Sequence, residues 1–370
     1  MQINRMGWRM NTIYDVIVIG AGQSGLAAGY YLKKAGLQFL VLESGREATG
    51  SWPYYYDSLR LFSPAKYSSL PGYAFPGDKK RYPSRDEVVD YLKTYAEKMQ
   101  LPIKHHMKVV RIHKQEQAFH IETSSGEKYY SKNVIAATGS FQRPYMPVID
   151  GHQDYQGHIL HSSTYKNPDS FKGKSVIVVG RGNSAIQIGV ELAPLAKTTL
   201  ATLRPVQFMP QTVLGRDLHF WLSVTGLDGF PFWRFGVRAG TSTSVIDTGK
   251  YKEMISNGLP QQREMFMSFT STGVVWADGQ MEDVDAVIFS TGYRDHVPYL
   301  KDLGALDARH TPLHRAGVST SMSGLYYLGL TGQRSFASAT IRGTGRDAKI
   351  IINKIVRHIR NEKNENYKNA

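Results

Sequence analysis

The sequence contains no cysteine among its 370 residues. A chain without thiols cannot form a disulfide scaffold, hold a metal through thiolates or use a cysteine nucleophile. It also cannot carry the redox-active dithiol of a disulfide reductase. These classes of protein and site are therefore excluded before any motif is considered.

Long apolar runs are missing as well. No stretch of about 18 apolar residues occurs, so the sequence predicts no membrane span. The N-terminal stretch MQINRMGWRMNT lacks the apolar centre that a secretory signal peptide needs. We therefore expect a cytoplasmic location.

Negative charge is scarce relative to positive charge. The chain has 45 Lys and Arg residues against 31 Asp and Glu, a formal net charge of +14. Apart from the tail NKIVRHIRNEKNENYKN the basic residues are spread along the chain, and no nucleic-acid motif accompanies them. The charge therefore favours anionic small ligands, or a basic surface without a binding role, over nucleic acid.

A nucleotide-binding pattern begins at residue 14. YDVIVI predicts a buried strand, GAGQSG a loop, LAAGYYLKKAG a helix and QFLVLE a second strand. Gly20, Gly22 and Gly25 allow a tight turn, a close approach of backbone to a pyrophosphate, and close packing of helix on strand. Glu43 ends the second strand 23 residues after Gly20, where a carboxylate can accept hydrogen bonds from ribose hydroxyls.

The same pattern returns at KSVIVVGRGNSAIQIGVELAP. A strand at 174–179 leads to Gly180 and Gly182, Ala185 takes the third glycine position, and a helix follows. The second strand, TTLATL, ends in Arg204, 24 residues after Gly180, where the first unit has an acid. Because a guanidinium can pair with a 2′-phosphate, we expect NADPH as the second ligand, with NADH as the alternative.

The partner of the 2′-phosphate stays open between two arginines. Arg181 lies inside the second loop, and Arg204 can also be an exposed strand-end residue without any partner. One unit that ends in Glu and one that ends in Arg indicate a flavin site followed by a nicotinamide site. This pairing predicts an oxidoreductase.

Two further strands end in a threonine and a glycine. KNVIAATGS ends at Thr138 and Gly139, and VDAVIFSTGY at Thr291 and Gly292. One precedes the second fingerprint and the other follows it, so they indicate two crossings between an interrupted domain and an inserted one. The fold class that we expect is α/β, with two Rossmann-like dinucleotide-binding domains.

The predicted boundaries lie near residues 150 and 290. The expected domains are an FAD-binding domain at 1–150 and 290–370 and an inserted NAD(P)H-binding domain at 151–289. Within the first domain PSRDEVVDYLKTYAEKM predicts a helix with Ser84 and Glu87 at capping-box spacing, and 107–138 predicts strands.

The connection between the two units reads YQGHILHSSTY, residues 155–165. It matches the motif FxGxxxHxxx(F/Y) with Tyr155 in place of Phe, and with the two fingerprints, ATGS and STGY it resembles the flavin-containing monooxygenases. TGSW at 49–52 is similar to the family's GGxW stretch near the flavin ring. DSLRLFSPAKYSSLPGY and LYYLGLTGQRSFASATIRG resemble the short bacterial members in particular.

The resemblance implies a glutathione-reductase-like arrangement and an NAD(P)H-dependent flavoprotein monooxygenase. FAD, NADPH and dioxygen would oxygenate soft nucleophiles such as sulfides and amines through a peroxyflavin intermediate. Three alternatives stay open: a Baeyer–Villiger monooxygenase, an NAD(P)H oxidase or electron-transfer flavoprotein, and a flavin-binding regulatory protein. The Baeyer–Villiger enzymes carry Trp-Pro or Trp-Asp where this chain has Tyr165 and Lys166.

The motif itself is interpreted as a link between the domains. A glycine lets the backbone turn at Gly157, while His161 and Tyr165 fasten the connection to both sides. His152, His158 and His161 are the alternative candidates for a metal site, since His158 and His161, three residues apart, would share one face of a helix. No acidic or cysteine partner lies in register with them, so no metal is predicted.

Two groups of residues are expected to bind the cofactors. For FAD they are Gly20, Gly22, Gln23, Ser24, Gly25, Glu43, Ser51, Trp52, Thr138 and Gly139. For NADP they are Gly180, Gly182, Asn183, Ser184, Arg204, Thr291 and Gly292.

The family often has an Asn after the GxW stretch, where this chain reads LFSP. Phe62 and Ser63 are therefore the candidates for residues near the reacting part of the flavin, with Phe62 either a shield or a core residue. For the aromatic segment 213–235 three roles stay open. It is expected to line a substrate channel, to pack on a second subunit or to cover the nicotinamide domain. The expected partner is a small-molecule substrate, and a homodimer stays open.

Overall fold

The computed structural model describes residues 12–235, 244–247 and 250–369 of the chain. The N-terminal stretch from which no signal peptide was predicted lies almost wholly outside the described residues. The helices are α1 Gln23–Lys34, α2 Arg85–Lys98, α3 Asn183–Leu192, α4 Leu218–Val224, α5 Tyr251–Ser256 and α6 Ile341–Asn369. Short 3₁₀ helices are Trp52–Tyr54, Ala65–Tyr67, Asp169–Phe171, Leu227–Gly229, Phe232–Phe235 and Pro298–Leu303.

The strands, in chain order, fall into two main sheets and several small ones. Up to the second fingerprint they are β1 Ile13–Ile19, β2 Phe39–Leu42, β3 Ile103–Lys104, β4 Val109–Gln115, β5 Ala118–Thr123, β6 Lys128–Ala136, β7 Arg143–Pro144, β8 His158–His161 and β9 Ser175–Val179. The next are β10 Lys197–Thr202, β11 Phe208–Pro210, β12 Thr212–Val213, β13 Arg216–Asp217, β14 Val245–Asp247, β15 Gln261–Glu264, β16 Ser268–Phe269, β17 Gly273–Val275 and β18 Met281–Asp283. The last are β19 Ala286–Phe289, β20 Tyr293–Arg294, β21 His314–Arg315, β22 Val318–Ser319 and β23 Leu325–Tyr327.

The first sheet has a parallel centre. Its order is β21-β22-β23-β6-β1-β2-β3, and the antiparallel pair β4-β5 joins it through β6. Helices α1, α2 and α6 cover one face, and β4, β5 and the 3₁₀ helix Pro298–Leu303 cover the other. Burial on both faces explains why β1 is a continuous apolar run without alternation.

The second sheet is wholly parallel, in the order β15-β10-β9-β19-β8. Helix α3 packs on it through buried apolar residues. Both sheets with their covering helices confirm the predicted α/β class. The strands expected at 14–19, 174–179 and 107–138 are present as β1, β9 and β4 to β6.

Each fingerprint turns sharply at its first glycine. Gly20 has φ of +100°, and a Cβ on it would lie 2.9 Å from the carbonyl oxygen of Ala137. Gly180 has φ of +136°, and its Cβ would lie 2.6 Å from the carbonyl oxygen of Ser290. In the first unit a Cβ on Gly25 would lie 1.9 Å from the Gly20 carbonyl oxygen, so helix and loop pack too closely for any side chain there.

The two connections between the main sheets pair with each other. The chain leaves the first sheet after β6 and returns to it at β21, and the short strands β7 and β20 on these connections form an antiparallel pair. The amide of Tyr145 donates to the carbonyl of Gly292 at 2.9 Å. The domain boundaries near residues 150 and 290 stay a prediction.

Helix α2 begins with the predicted capping box, which is confirmed. Ser84 Oγ accepts from the amide of Glu87 at 3.3 Å, and the Glu87 carboxylate accepts from the amide of Ser84 at 2.8 Å. The long helix α6 packs its apolar side on the first sheet. Among the helices that the structure describes, none is both long enough and apolar enough to cross a membrane.

Candidate active site

A cavity of about 1320 Å³ lies at the carboxyl ends of the parallel strands of both sheets. This edge is where open α/β sheets bind their ligands. The volume exceeds the range of roughly 300–1,000 Å³ typical of a site for one small ligand, so there is room for more than one. The predicted residues that line the cavity are Gly20, Gly22, Gln23, Ser24, Glu43, Ser51, Trp52, Phe62, Ser63, Thr138, Gly139, Gly182, Asn183, Ser184 and Gly292.

Two helices point uncapped ends at this cavity. Gly22 is the N-cap of α1 and Gly182 that of α3; neither has a side-chain cap, and neither helix has an acidic residue in its first turn. The amide groups and the positive end of each helix dipole are thus left for an anion. A Cβ on Gly182 would have no atom within 4 Å, so the missing side chain leaves open space at the cavity. Both helix ends fit the pyrophosphate of a dinucleotide.

Glu43 fixes the end of β2 against the first loop. Its carboxylate is buried and accepts from the amide of Ala21 at 2.6 Å and from the amide of Gly45 at 2.7 Å. The same group lines the cavity. The predicted acidic residue therefore also holds the glycine loop in place.

The TGSW stretch is tied to the first loop by a chain of hydrogen bonds. The indole nitrogen of Trp52 donates to the side-chain oxygen of Gln23 at 2.8 Å. The amide nitrogen of the Gln23 side chain donates in turn to the carbonyl of Ala339 at 2.6 Å. Three distant segments thereby form one wall of the cavity, and one of them is the C-terminal stretch LYYLGLTGQRSFASATIRG, which contains Ala339.

The other predicted FAD residues are held by buried contacts. Thr344 Oγ1 donates to Ser24 Oγ at 2.9 Å, which fastens α6 to α1. A Cβ on Gly329 would lie 2.4 Å from the same Ser24 Oγ. Thr138 Oγ1 lies 3.0 Å from the hydroxyl of Tyr299.

His161 connects the ends of two neighbouring strands of the second sheet. The amide of Ser163 donates to its Nδ1 at 3.1 Å, and its Nε2 lies 3.0 Å from the carbonyl oxygen of Gly292. Because Nδ1 accepts, the proton is on Nε2, which donates to Gly292. Burial lowers the pKa of His161 below its ordinary value, in keeping with this neutral tautomer.

Tyr155 and Tyr165 of the linking motif are also buried. Tyr165 donates its hydroxyl hydrogen to Glu191 at 2.9 Å, and its ring packs near Tyr56 from the first part of the chain. Gly157 does not have the left-handed backbone expected of a turn. It is required instead because Tyr155 folds over it, with the hydroxyl only 2.2 Å from where a Cβ would stand.

The metal alternative does not gain support from the geometry. His158 and His161 lie on β8 and not on a helix, so their side chains point to opposite faces. Within the described parts of the chain no cluster of three or more His, Cys, Asp or Glu residues suits a metal ion.

Several predicted residues lie outside the cavity lining. Gly25 and Gly180 stand behind the loops, and Thr291 donates its hydroxyl hydrogen to the carbonyl of Tyr145. Arg204 is exposed two residues after β10, and Arg181 does not line the cavity either. The structure thus does not bring either arginine into the cavity.

Phe62 and Ser63 both line the cavity but differ in their contacts. The Phe62 ring is stacked 6.3 Å from the ring of His219 and lies 5.7 Å from the guanidinium of Arg342. Ser63 is buried, and its hydroxyl lies 2.9 Å from that of Ser68. The Ser63 hydroxyl therefore serves the loop, whereas Phe62 separates the cavity from the polar groups behind it.

Sequence reasoning missed an aromatic wall. Trp52, Tyr55, Phe141 and Tyr293 follow one another with ring centroids 5.5, 6.4 and 5.3 Å apart. Burial raises the pKa of Tyr55 well above its usual value, so the phenol stays neutral. The run of three tyrosines after TGSW was the only sign of this wall, and it carries no periodicity that predicts a position.

The comparisons with known proteins agree on one family. The family model described as "Pyridine nucleotide-disulphide oxidoreductase" matches residues 17–213. An uncharacterized oxidoreductase, CzcO-like, from Geobacillus kaustophilus is 36% identical over 94% of this chain and 100% of its own length. The indole-3-pyruvate monooxygenase YUCCA1 of Oryza sativa is 30% identical over 92% of this chain and 91% of its own length.

A solved structure matches almost the whole chain. The flavin-containing monooxygenase from Stenotrophomonas maltophilia superimposes with a TM-score of 0.83 at 30% identity, over 95% of this chain and all of that one. The chain therefore belongs to the pyridine nucleotide-disulphide oxidoreductase family, and within it to the flavin-dependent monooxygenases. The predicted resemblance is confirmed, as is the predicted oxidoreductase; the chain has no cysteine and therefore no redox-active dithiol of its own.

The contacts of His161 predict a pH-dependent contribution to stability. The unfolded chain, with a histidine pKa of about 6.5, binds a proton more readily than the buried ring, so the contribution is complete above that pH and is lost as the pH falls below it. Replacing His161→Gln should lower the free energy of unfolding by about 1–3 kcal/mol at pH 8 and by less at pH 5. Urea unfolding at both pH values measures the difference.

The control for this prediction is His158→Gln, because His158 is exposed on the same strand. It should leave the free energy of unfolding close to that of the native protein at both pH values. A deficit of His161→Gln that is as large at pH 5 as at pH 8 would contradict the buried neutral ring.

Proposed function

We propose that the chain is an FAD-dependent, NADPH-using monooxygenase that oxygenates soft nucleophiles such as sulfides and amines. The observation that carries this proposal is the pair of uncapped helix ends, at Gly22 and Gly182, that open on one cavity. Two dinucleotides bound at these ends would share the space between them. Electrons can then pass from one cofactor to the other without a relay of protein groups.

The residues present fit both cofactors. The first loop, Glu43 and the TGSW stretch would hold FAD, and the second loop would hold NADPH. Bound FAD, reduced by NADPH, supplies the chemistry by which one atom of dioxygen reaches the substrate. The chain's own part is to bind, orient and shield.

The protein groups in the cavity suit that shielding role. The wall made by Trp52, Tyr55, Phe141 and Tyr293 is aromatic, and burial, which raises the pKa of Tyr55, keeps its phenol neutral even at alkaline pH. Such a wall limits the access of water to the reacting groups. Burial keeps His161 neutral, and its contacts with Gly292 and Ser163 let it position the strand end without taking up a proton itself.

The proposal also includes the domain division. An FAD-binding domain would comprise residues 1–150 and 290–370, and an NAD(P)H-binding domain residues 151–289. The small-molecule substrate, the cytoplasmic location and the open possibility of a homodimer stay predictions. The segment 213–235 contributes α4 beside Phe62, so we favour a place next to the substrate over a purely external cover.

The fate of oxygen tests the proposed reaction. FAD-loaded protein with NADPH, ¹⁸O₂ and methyl phenyl sulfide should form sulfoxide that carries one labelled oxygen atom. Sulfoxide and hydrogen peroxide together should account for the NADPH consumed, and the sulfoxide share should rise with the sulfide concentration. A reaction without sulfide is the control and should yield peroxide alone.

Two results would replace the proposal by an alternative. Peroxide equal to the NADPH consumed at every sulfide concentration would indicate an oxidase or an electron-transfer flavoprotein. Ester formed from cyclohexanone at a higher kcat/KM than sulfoxide would indicate a Baeyer–Villiger enzyme.

The proposed role of Arg204 concerns the 2′-phosphate only. Replacing Arg204→Gln should raise the KM for NADPH about ten-fold or more and leave the KM for NADH unchanged, since the lost pairing involves the extra phosphate alone. The matched variant is Arg181→Gln, which removes the other candidate arginine. A selective effect in Arg181→Gln alone, or equal effects on NADPH and NADH, would overturn the assignment to Arg204.

A further inference from the structure

A second cavity, of about 200 Å³, lies beside the large one, where the first turn of α6 meets α4 and the turn Leu227–Gly229. Its wall includes the guanidinium groups of Arg334, Arg342 and Arg346 and one carboxylate, that of Asp228. Phe62 lies between the two cavities, because its ring lines the large one and faces Arg342 and His219 of the small one. The proposed reaction assigns no role to the three arginines, Asp228 or His219.

The arginines are held in fixed positions. Arg342 Nε lies 3.0 Å from each oxygen of Asp228. Arg334 Nε donates to Asp347 at 2.6 Å, and its Nη1 donates to the carbonyl of Gly229 at 2.8 Å. A Cβ on Gly229 would stand 1.5 Å from Nη1 of Arg346, so this glycine leaves the room that the third guanidinium occupies.

Three buried polar atoms of the wall have no hydrogen-bond partner among the described residues. They are Nη1 of Arg342, Oγ of Ser335 and Nε2 of His219. Ser335 is fully buried and His219 is 2% exposed. Since Nδ1 of His219 is 2.9 Å from Asp217, its unpaired nitrogen lies on the opposite edge of the ring.

Buried groups of this kind are costly unless a ligand or water satisfies them. A free N–H of a guanidinium forms a charge-assisted hydrogen bond with a carboxylate, and the positive end of α6 adds to the attraction. The cavity also reaches the surface, because Ser223 and Arg346 in its wall are exposed. A small anion can therefore enter.

We propose that this cavity binds the carboxylate group of a small organic acid. Arg342 Nη1 and Ser335 Oγ donate to it, the Nε2 edge of His219 faces it, and Arg346 stands at the entrance. The carboxylate belongs either to the molecule that is oxygenated, with the rest of that molecule reaching past Phe62, or to a separate acid. The site itself does not depend on the proposed oxygenation.

Binding is tested with acetate and acetamide, which have the same shape and differ in charge. The full chain, loaded with FAD and saturated with NADP⁺ so that the large cavity is filled, is titrated with ¹³C-labelled acetate at constant ionic strength. Line broadening of the ligand signal should show saturable binding of acetate and none of acetamide. Indistinguishable behaviour of the two molecules would overturn the proposal and leave a cavity that holds water.

Variants locate the binding. Ser335→Ala removes a hydroxyl without a partner and should keep the fold, and Arg342→Gln removes the guanidinium; each should weaken acetate binding about ten-fold or more. The control, Arg357→Gln, changes an exposed arginine on the same helix and should leave acetate binding unchanged. Unchanged affinity in a correctly folded, yellow Ser335→Ala protein would contradict the site even if Arg342→Gln fails to fold.

Turnover distinguishes the two sources of the carboxylate, and this arm alone rests on the proposed function. If the substrate supplies the carboxylate, (methylthio)acetate should be oxygenated with a kcat/KM at least ten-fold above that of (methylthio)acetamide. Acetate should then inhibit competitively, and Ser335→Ala should remove the preference. Equal rates with intact acetate binding would assign the site to a separate acid, while no oxygenation with intact binding would contradict the proposed function alone.

Discussion

The N-termini of α1 and α3 have no side-chain cap, and both lie at the wall of the same cavity. The contacts between the two parts of the chain serve to keep these two N-termini close together. The N-cap glycines Gly22 and Gly182 leave amide groups and helix dipoles without an internal partner. Elsewhere the same chain caps a helix fully, with Ser84 and Glu87 at the start of α2. The free amide groups at the uncapped ends can bind a pyrophosphate, whereas at the start of α2 the Ser84 side chain already occupies the amide of Glu87.

The linking motif 155–165, together with the Lys166 that follows it, maintains this arrangement by contacting both parts of the chain. His161 binds the carbonyl of Gly292 on the opposite connection, and Tyr165 is buried near Tyr56. The carbonyl of Lys166 accepts from the amide of Asp57 at 2.8 Å. The two connections, with their paired strands β7 and β20, therefore form a joint that sets the distance between the two helix ends.

Features that depend on neighbours in sequence could be predicted. The role of Gly25 is one example, since the carbonyl that excludes its side chain belongs to Gly20, only one loop away. The capping box of α2 is another. The strand-loop-helix pattern and the family motif were sufficient to predict the α/β class and the family.

Features that depend on distant segments could not be predicted. The small cavity joins His219 on α4 with Ser335, which precedes α6, and Arg342 at the start of α6, and no local pattern relates these positions. The spacing of His158 and His161 would place both side chains on one face only in a helix. The segment is instead strand β8, which pairs with β19. Gly157 was interpreted as a turn, but packing of the Tyr155 side chain requires it.

The most direct test of the account is reduction of the bound flavin by NADPH without oxygen. FAD-loaded protein mixed anaerobically with one equivalent of NADPH should lose its yellow colour in a single rapid phase, with no substrate added, and (4R)- or (4S)-deuterated NADPH should slow that phase for one stereoisomer only. This result is expected if both cofactors meet in one cavity in a fixed orientation. A flavin that stays oxidised although NADPH is bound, or a rate that does not respond to either label, would contradict it.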